Sequence, residues 1–321
     1  MALSGFWYTA SAATAPSDTG IATRSGAVTA EQQHAVDRYW TPDRMRLAGA
    51  LVPEITPIPP DDNTPDQPTP PPADRPDPGE VWRHGGKVNA TVGRLFFTFD
   101  DGYDGSCTAT VVDGANRSTI VTAAHCLRGV GAADDACNWN HNEYFVPGYR
   151  NGTKPYGGFS IRTMLTSAAW NTAEDSSAAA LAGYDAAVVV ANPGLDGRRV
   201  ADVVGTQRIA FTPVATGQFI HAFGYPHVQS GTRFLGARMV HCAGPVAPGP
   251  DAPLLVGMRC DMAHGASGGP HLADFDPATG PGTVVGVTTA GNDLAGGDVN
   301  RSYATPLSHH AQPLYQRAGD A

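Results

Sequence analysis

Lysine is nearly missing from this 321-residue chain: of its 21 cationic residues only Lys87 and Lys154 are lysines. Acids outnumber cations 30 to 21, giving a net charge of −9. A basic face for nucleic acid is not evident, and no nucleic-acid partner is expected. Charge of either sign is scarce, at 16% of residues. No apolar run approaches the ~18 residues of a membrane-crossing helix, so no membrane span is expected. Cysteine is sparse and contains no CxxC, which argues against a zinc ribbon. No repeat with a fixed period of about 20–50 residues is present, which argues against a solenoid.

What is present suffices for a core. Hydrophobic residues make up 41% of the chain, which excludes full disorder. The length suits about two domains. Gly 38 and Pro 27 are about a fifth of the residues, favouring turns and short strands over long helices. Among the five cysteines, Cys107/Cys126 and Cys242/Cys260 lie 19 and 18 residues apart. Such spacings suit small loops closed by disulfides, each worth roughly 3 kcal/mol by chain entropy and persisting in an oxidising compartment. Scattered free thiols are the alternative, and Cys137 is left over.

The chain divides by texture. Met1 to Ala15 is apolar and small, with an A-x-A ending at Ala15. It reads either as the remnant of a secretion signal or as a tail. Residues 30–50 carry a helical pattern in Ala35, Val36, Tyr39 and Trp40. Thr29 is a candidate cap, and Pro42 suits the first turn of a second short helix. Two such helices bury little alone and need something else to pack on. Residues 53–80 hold eleven of the 27 prolines and a local charge of −6. They read as an extended, solvated linker. From Val81 to Gln316, short apolar runs alternate with Gly, Pro, Asn and Asp: GRLFFTF, CTATVV, STIVTAAH, AAVVVA, QFIHAFGY, RMVHC, LLVGM and TVVGVTT. Repeated short strands with turn signals predict an all-β barrel or sandwich. Ser167 to Ala182 fits helix or loop, and a terminal helix is expected near Leu307 to Arg317.

Three segments carry chemistry. In Gly265-Ala266-Ser267-Gly268-Gly269-Pro270 a serine is flanked by residues that crowd neither its hydroxyl nor the neighbouring backbone N–H groups. Acyl transfer needs both an exposed hydroxyl and donors where negative charge develops. In Val121-Thr122-Ala123-Ala124-His125-Cys126 an imidazole, the base a serine needs near neutral pH, follows a β-rich run. In Tyr184-Asp185-Ala186-Ala187 an acid abuts an apolar strand, where it can hold a histidine in one tautomer. Each has an ordinary reading too: a Gly-rich loop, a satisfied core histidine, a strand-start aspartate. Their order, His125, Asp185, Ser267, is that of the chymotrypsin triad.

With VTAAHC, YDAAVVV, FGYP, CDMAHGASGGP and GVTTAG, residues 88–314 resemble the trypsin-like, chymotrypsin-fold serine peptidases. They are most similar to the secreted bacterial branch that includes glutamyl endopeptidase-like enzymes. The resemblance implies two six-stranded antiparallel barrels meeting near residues 192–205 within a peptidase domain of residues 81–316, followed by a tail of residues 317–321. His125 would be the general base, Asp185 its orienting acid and Ser267 the nucleophile. The N–H groups of Gly265 and Ser267 would form the oxyanion hole. Thr288, Thr289, Ala290 and Gly291 would form the wall of the pocket for the side chain before the cut. Cys107–Cys126 and Cys242–Cys260 would be disulfides.

It further implies a secreted, extracellular, monomeric endopeptidase that takes polypeptide substrates and needs no cofactor or metal. Residues 16–52 would be a prosegment; Trp40-Thr41-Pro42-Asp43-Arg44-Met45 resembles those of such bacterial enzymes, and a permanent accessory tail is the alternative. A cut is expected near the end of the linker.

The chain departs from the family in three places. Ala266 stands where trypsin has the Asp that pairs with a released N-terminus, which speaks against that mode of activation. Thr288 and Thr289 stand where glutamate-preferring relatives carry a His. Asp261, six residues before Ser267, occupies the offset that selects Arg or Lys in trypsin, yet the bacterial branch also carries Cys-Asp there as a structural acid. Specificity is therefore open.

An inactive, binding homologue is the alternative, opposed by the presence of all three triad residue types. An α/β-hydrolase would need its acid and histidine after Ser267, where 54 residues remain. Calcium at Asp134-Asp135 or Asp274-Asp276 lacks supporting ligand spacing, and His309-His310 reads as a solvated tail.

Overall fold

The protein is described by a computed structural model over residues 20–49, 77–129, 139–170, 182–229, 232–233, 236–249, 253–262, 264–290, 301–308 and 310–321. Residues 1–19, most of the Pro-rich stretch, Asp134-Asp135, Cys137, Gly291 and His309 lie outside them.

The described residues form two large, mainly antiparallel sheets. The first runs in the order β1 (Ile21–Ser25), β7 (Phe159–Ser167), β6 (His141–Pro147), β3 (Val92–Thr98), β4 (Asp104–Val111), β5 (Thr119–Thr122) and β8 (Ala187–Ala191). β7 also pairs with β8, so six strands close into a barrel. β1 adds to β7 with a five-residue ladder, Ile21 opposite Ser167 through Ser25 opposite Thr163. All of β3 is buried because both its faces are covered. Strand side chains alternate between faces: Leu95 and Phe97 point into the barrel cluster, while Phe96 joins a second cluster outside it with Trp40, Tyr144 and Tyr149.

The second sheet runs β14 (Ala247–Pro248), β15 (Val256–Arg259), β18 (Arg301–Pro306), β17 (Thr283–Ala290), β16 (Pro270–Ala273), β10 (Phe219–Gly224), β13 (Val240–Pro245) and β2 (Asp77–Val81). β9 (Arg208–Ile209) lies parallel on β17. β11 (Val228–Gln229) and β12 (Thr232–Arg233) form a separate ribbon. The all-β, two-sheet architecture is the expected one. The first sheet is a closed six-stranded barrel, whereas the second has more strands than expected and no closing ladder among the described residues. Its disulfide does part of that work: Cys242 of β13 is bonded to Cys260, just past β15, so it fastens the two ends of the path. The Cys107–Cys126 bond ties β4 to the turn after β5.

Among the described residues the helices are few: α1 (Ala30–Tyr39), α2 (Pro42–Leu47), α3 (Gly86–Thr91), α4 (Val200–Val204) and α5 (Ala311–Gly319). Thr29 accepts from Gln32 N–H at 3.2 Å while Gln32 reaches back to Thr29 N–H at 2.9 Å, a capping box. Pro42 opens α2, capped by Thr41. The pair packs on the barrel, burying Trp40, Met45 and Ala48. Trp40 Nε1 donates to Asn142 O at 2.7 Å. The terminal helix begins at Ala311 rather than Leu307, because Leu307 still belongs to the sheet through a bond to Val285 O. Of the Ala-rich stretch, Ala168–Trp170 forms a single 3-10 turn.

Candidate active site

Strand pairing brings the imidazole and the carboxylate together. β5 and β8 are antiparallel neighbours with Thr122 opposite Ala187. His125 lies just past the end of β5 and Asp185 just before the start of β8, so both fall at the same barrel rim. His125 sits in a one-turn 3-10 helix, Ala124–Cys126, pinned by the Cys107–Cys126 disulfide. Its N–H donates to Asp185 Oδ1 at 2.8 Å, and Nδ1 lies 2.6 Å from Asp185 Oδ2. An ionised carboxylate only accepts, so Nδ1 carries the proton and Nε2 is left with its lone pair. Asp185 is 1% exposed, whereas about a third of the imidazole faces outward. Burial pulls the imidazole's pKa down, and the charge and hydrogen bond of Asp185 more than offset this, so it lies above the ordinary histidine value. The two sulfurs beside His125 are bonded to each other and offer no thiolate to a metal.

β17 reaches both the acid and the serine. Thr289 donates its hydroxyl to Asp185 Oδ2. One residue earlier, Thr288 O accepts from Gly268 N–H at 2.7 Å, and Thr288 N–H donates to Gly269 O at 2.8 Å. The serine turn lies against the strand that leads to His125: a Cβ on Gly268 would stand 2.2 Å from Thr122 Oγ1 and 2.3 Å from Thr108 O, and its φ is +77°. Only glycine fits there.

Successive carbonyls of that turn are anchored. His264 O accepts from His227 N–H at 2.7 Å, and Ala266 O from Gly269 N–H at 2.9 Å. Thr108 holds the other two: its hydroxyl donates to Gly265 O at 2.9 Å, and its N–H donates to Ser267 O at 2.8 Å. The same hydroxyl accepts from Tyr225 N–H at 2.9 Å. In a planar trans peptide the C=O and N–H point opposite ways. Holding His264 O and Ala266 O therefore aims the N–H groups of Gly265 and Ser267 in fixed directions. Ala266 is fully buried, with its methyl against Gly224, so an apolar contact takes the place of an acid.

Asp261 lies half-buried after Cys260, and Thr288, Thr289 and Ala290 end β17. Gly291 falls outside the described residues. Thr289 has a contact beyond the expected pocket wall, the one to Asp185. The sequence reading missed Thr108 and His227. Thr108 carries no motif of its own, and the only signal was its place next to Cys107. His227 follows FGYP, whose role the sequence left unassigned.

No protein-family model and no curated protein sequence matches the chain. Solved structures do. The protease Anisep from Arthrobacter nicotinovorans is 31% identical, with a TM-score of 0.61 over 72% of this chain and 96% of that one. The thermostable serine protease AL20 from an extremophilic microorganism is 27% identical, with a TM-score of 0.61 over 73% and 99% of the two chains. A Glu endopeptidase, at 18% identity and a TM-score of 0.55 over 77% and 99%, shares the fold.

Proposed function

The chain belongs to the chymotrypsin-fold serine proteases, and from that premise we propose that it is a secreted endopeptidase working through an acyl-enzyme, with Ser267 as nucleophile, His125 as base and Asp185 as orienting acid. The observation that carries the reading is the 2.6 Å contact between His125 Nδ1 and the buried Asp185 carboxylate, beside a serine turn with anchored carbonyls. As Ser267 Oγ bonds to the scissile carbonyl carbon, His125 Nε2 takes its proton. The resulting oxyanion is held by the N–H groups of Gly265 and Ser267. The imidazolium then gives its proton to the leaving nitrogen, the C–N bond breaks, and water repeats the sequence to release the acid. Asp185 favours the imidazolium electrostatically without taking a proton.

Thr288, Thr289 and Ala290 are the proposed wall for the residue before the cut, with Asp261 as a structural acid near it. Secretion is supported by the two disulfides, which persist in oxidising surroundings. Processing is placed in the Pro-rich stretch, before β2. N-terminal sequencing of protein from culture medium reads the cut. Labelling by a serine-directed fluorophosphonate tests the chemistry: wild-type protein reacts and Ser267→Ala does not. A Ser267→Ala enzyme that still hydrolyses peptides near the wild-type rate overturns the assignment. In the subtilisin series loss of the nucleophile costs about 10⁶ in kcat.

A further inference from the structure

Arg94 lies in the middle of β3 with no exposure, and no carboxylate among the described residues pairs with it. A buried cation is costly unless its donors are met. Here the chain's own N-terminal segment takes up both terminal nitrogens, while Nε has no partner among the described residues. Nη1 donates to Met45 O at 3.1 Å and Nη2 to Ala48 O at 2.9 Å, carbonyls at the end of α2 that the helix leaves without intrahelical partners. The guanidinium lies 4.6 Å and 4.8 Å from the ring centroids of Phe96 and Tyr149.

The same guanidinium faces the serine turn through two residues. Nη2 also donates to Ser106 Oγ, which lies 3.1 Å from His227 Nε2. His227 holds the turn twice. Its backbone N–H binds His264 O at 2.7 Å, and its ring packs on Gly265 so closely that a Cβ there would stand 2.3 Å from Cδ2. Residues 42–48, Arg94, Ser106, His227 and the peptide bearing Gly265 N–H thus form one continuous line of contacts.

We propose that Arg94 is a positioning residue for the Gly265 end of the oxyanion hole, and that residues 21–49, which supply two of its acceptors, stay with the working enzyme as a built-in strap instead of leaving as a spent leader. The proposal rests on the protease reading above. Buried Ala266 offers no charge to a freed amino terminus, so order in the turn needs another source, and the line from Arg94 supplies it. The strap is anchored well beyond this one contact. It contributes strand β1 to the first sheet and buries Trp40 against Phe96 outside the barrel. Tyr39 OH donates to Asp104 at 2.8 Å, Arg44 pairs with Asp104 at 2.6 Å, and Lys154 pairs with Asp37 at 3.0 Å. Its departure would uncover Phe96 and Tyr149 and strip Arg94 of its carbonyl acceptors.

The test uses the full chain with a recognition sequence for a foreign, site-specific protease placed at residues 60–70. After cutting, the two pieces are expected to co-elute on native size exclusion, to separate only in denaturant, and to keep kcat within about twofold of the uncut protein. An N-terminal piece that elutes alone without denaturant, leaving hydrolysis unchanged or faster, overturns the strap. In the same chain Ser106→Ala is expected to lower kcat about tenfold, with KM within about twofold and the fold intact by circular dichroism, and Ser106→Thr to recover most of it. An unchanged kcat in Ser106→Ala overturns the positioning role. Co-elution of pieces that neither hydrolyse peptides nor take a fluorophosphonate, cut or uncut, leaves the strap standing and refutes the protease reading.

Discussion

Thr289 and His125 share one carboxylate oxygen: the Thr289 hydroxyl donates to Asp185 Oδ2, the atom that lies 2.6 Å from His125 Nδ1. The acid is thus fixed from the second sheet as well as from the first. Hydrogen bonds to charged groups contribute about 1.5–3 kcal/mol. Thr289→Val is expected to lower kcat by roughly tenfold or more and to raise the pKa of His125 further, since the carboxylate loses a competing donor. Thr289→Ser should recover most of both. Steady-state kinetics across pH checks it, and an unmoved profile in Thr289→Val would show that the contact is inert.

On the proposed mechanism, the pKa of His125 sets the acid limb of activity. Serine can be deprotonated only by neutral imidazole, and Asp185 favours the protonated form. The kcat/KM profile should therefore fall as pH drops through a value above the ordinary 6.5. In Asp185→Asn the limb should move to lower pH and the rate should fall by about 10⁴, as in trypsin. A rate unaffected by this change would mean that another acid orients the base.

Thr108 clamps the serine turn through one hydroxyl that both donates and accepts. Thr108→Val keeps the shape and leaves Gly265 O and Tyr225 N–H without that partner. Each buried group left unsatisfied costs about 1–3 kcal/mol. The variant should lose stability by about that amount and also lose kcat, while Thr108→Ser retains both. Thermal melts paired with kinetics separate the two effects, and full activity in Thr108→Val would dismiss the clamp.

Glu143 predicts a pH-dependent stability away from the site. It is 4% exposed, Oε1 has no partner, and burial pushes its carboxyl up to about 8. A folded-state pKa above the unfolded value means the native state binds the extra proton. Stability should then be full below about 4.5 and decline as pH rises towards 8. Glu143→Gln mimics the protonated form. It should raise the melting temperature at pH 8 and change it little at pH 4; equal shifts at both would contradict the assignment.

Much of the architecture was legible because local signals agreed. GRLFFTF, AAVVVA and TVVGVTT became β3, β8 and β17, since β-branched and aromatic runs between turn residues have few other uses. Thr29 and Pro42 marked helix starts through local hydrogen bonding and a fixed φ. β1, β6, β7, β16 and β18 were missed, as was β2, since the end of the expected linker pairs with β13. Arg301–Pro306 alternates polar and small residues, and its burial comes from partners distant in sequence. At the site, the neighbours of His125 and Asp185 foreshadowed the contact between them. Thr108, Ser106, Arg94 and His227 were not foreshadowed, because their work lies in contacts between segments far apart in the chain, which no local pattern encodes. Thr289 was seen as a wall, and its bond to the acid depends on how β17 meets the first barrel.

β17 binds the serine turn through Thr288 and the acid through Thr289, while base and acid belong to the other half of the molecule. The proposed triad is therefore divided between the two halves. On that mechanism, synthesis that stops short of β17 yields no peptidase, whatever the first barrel has already achieved.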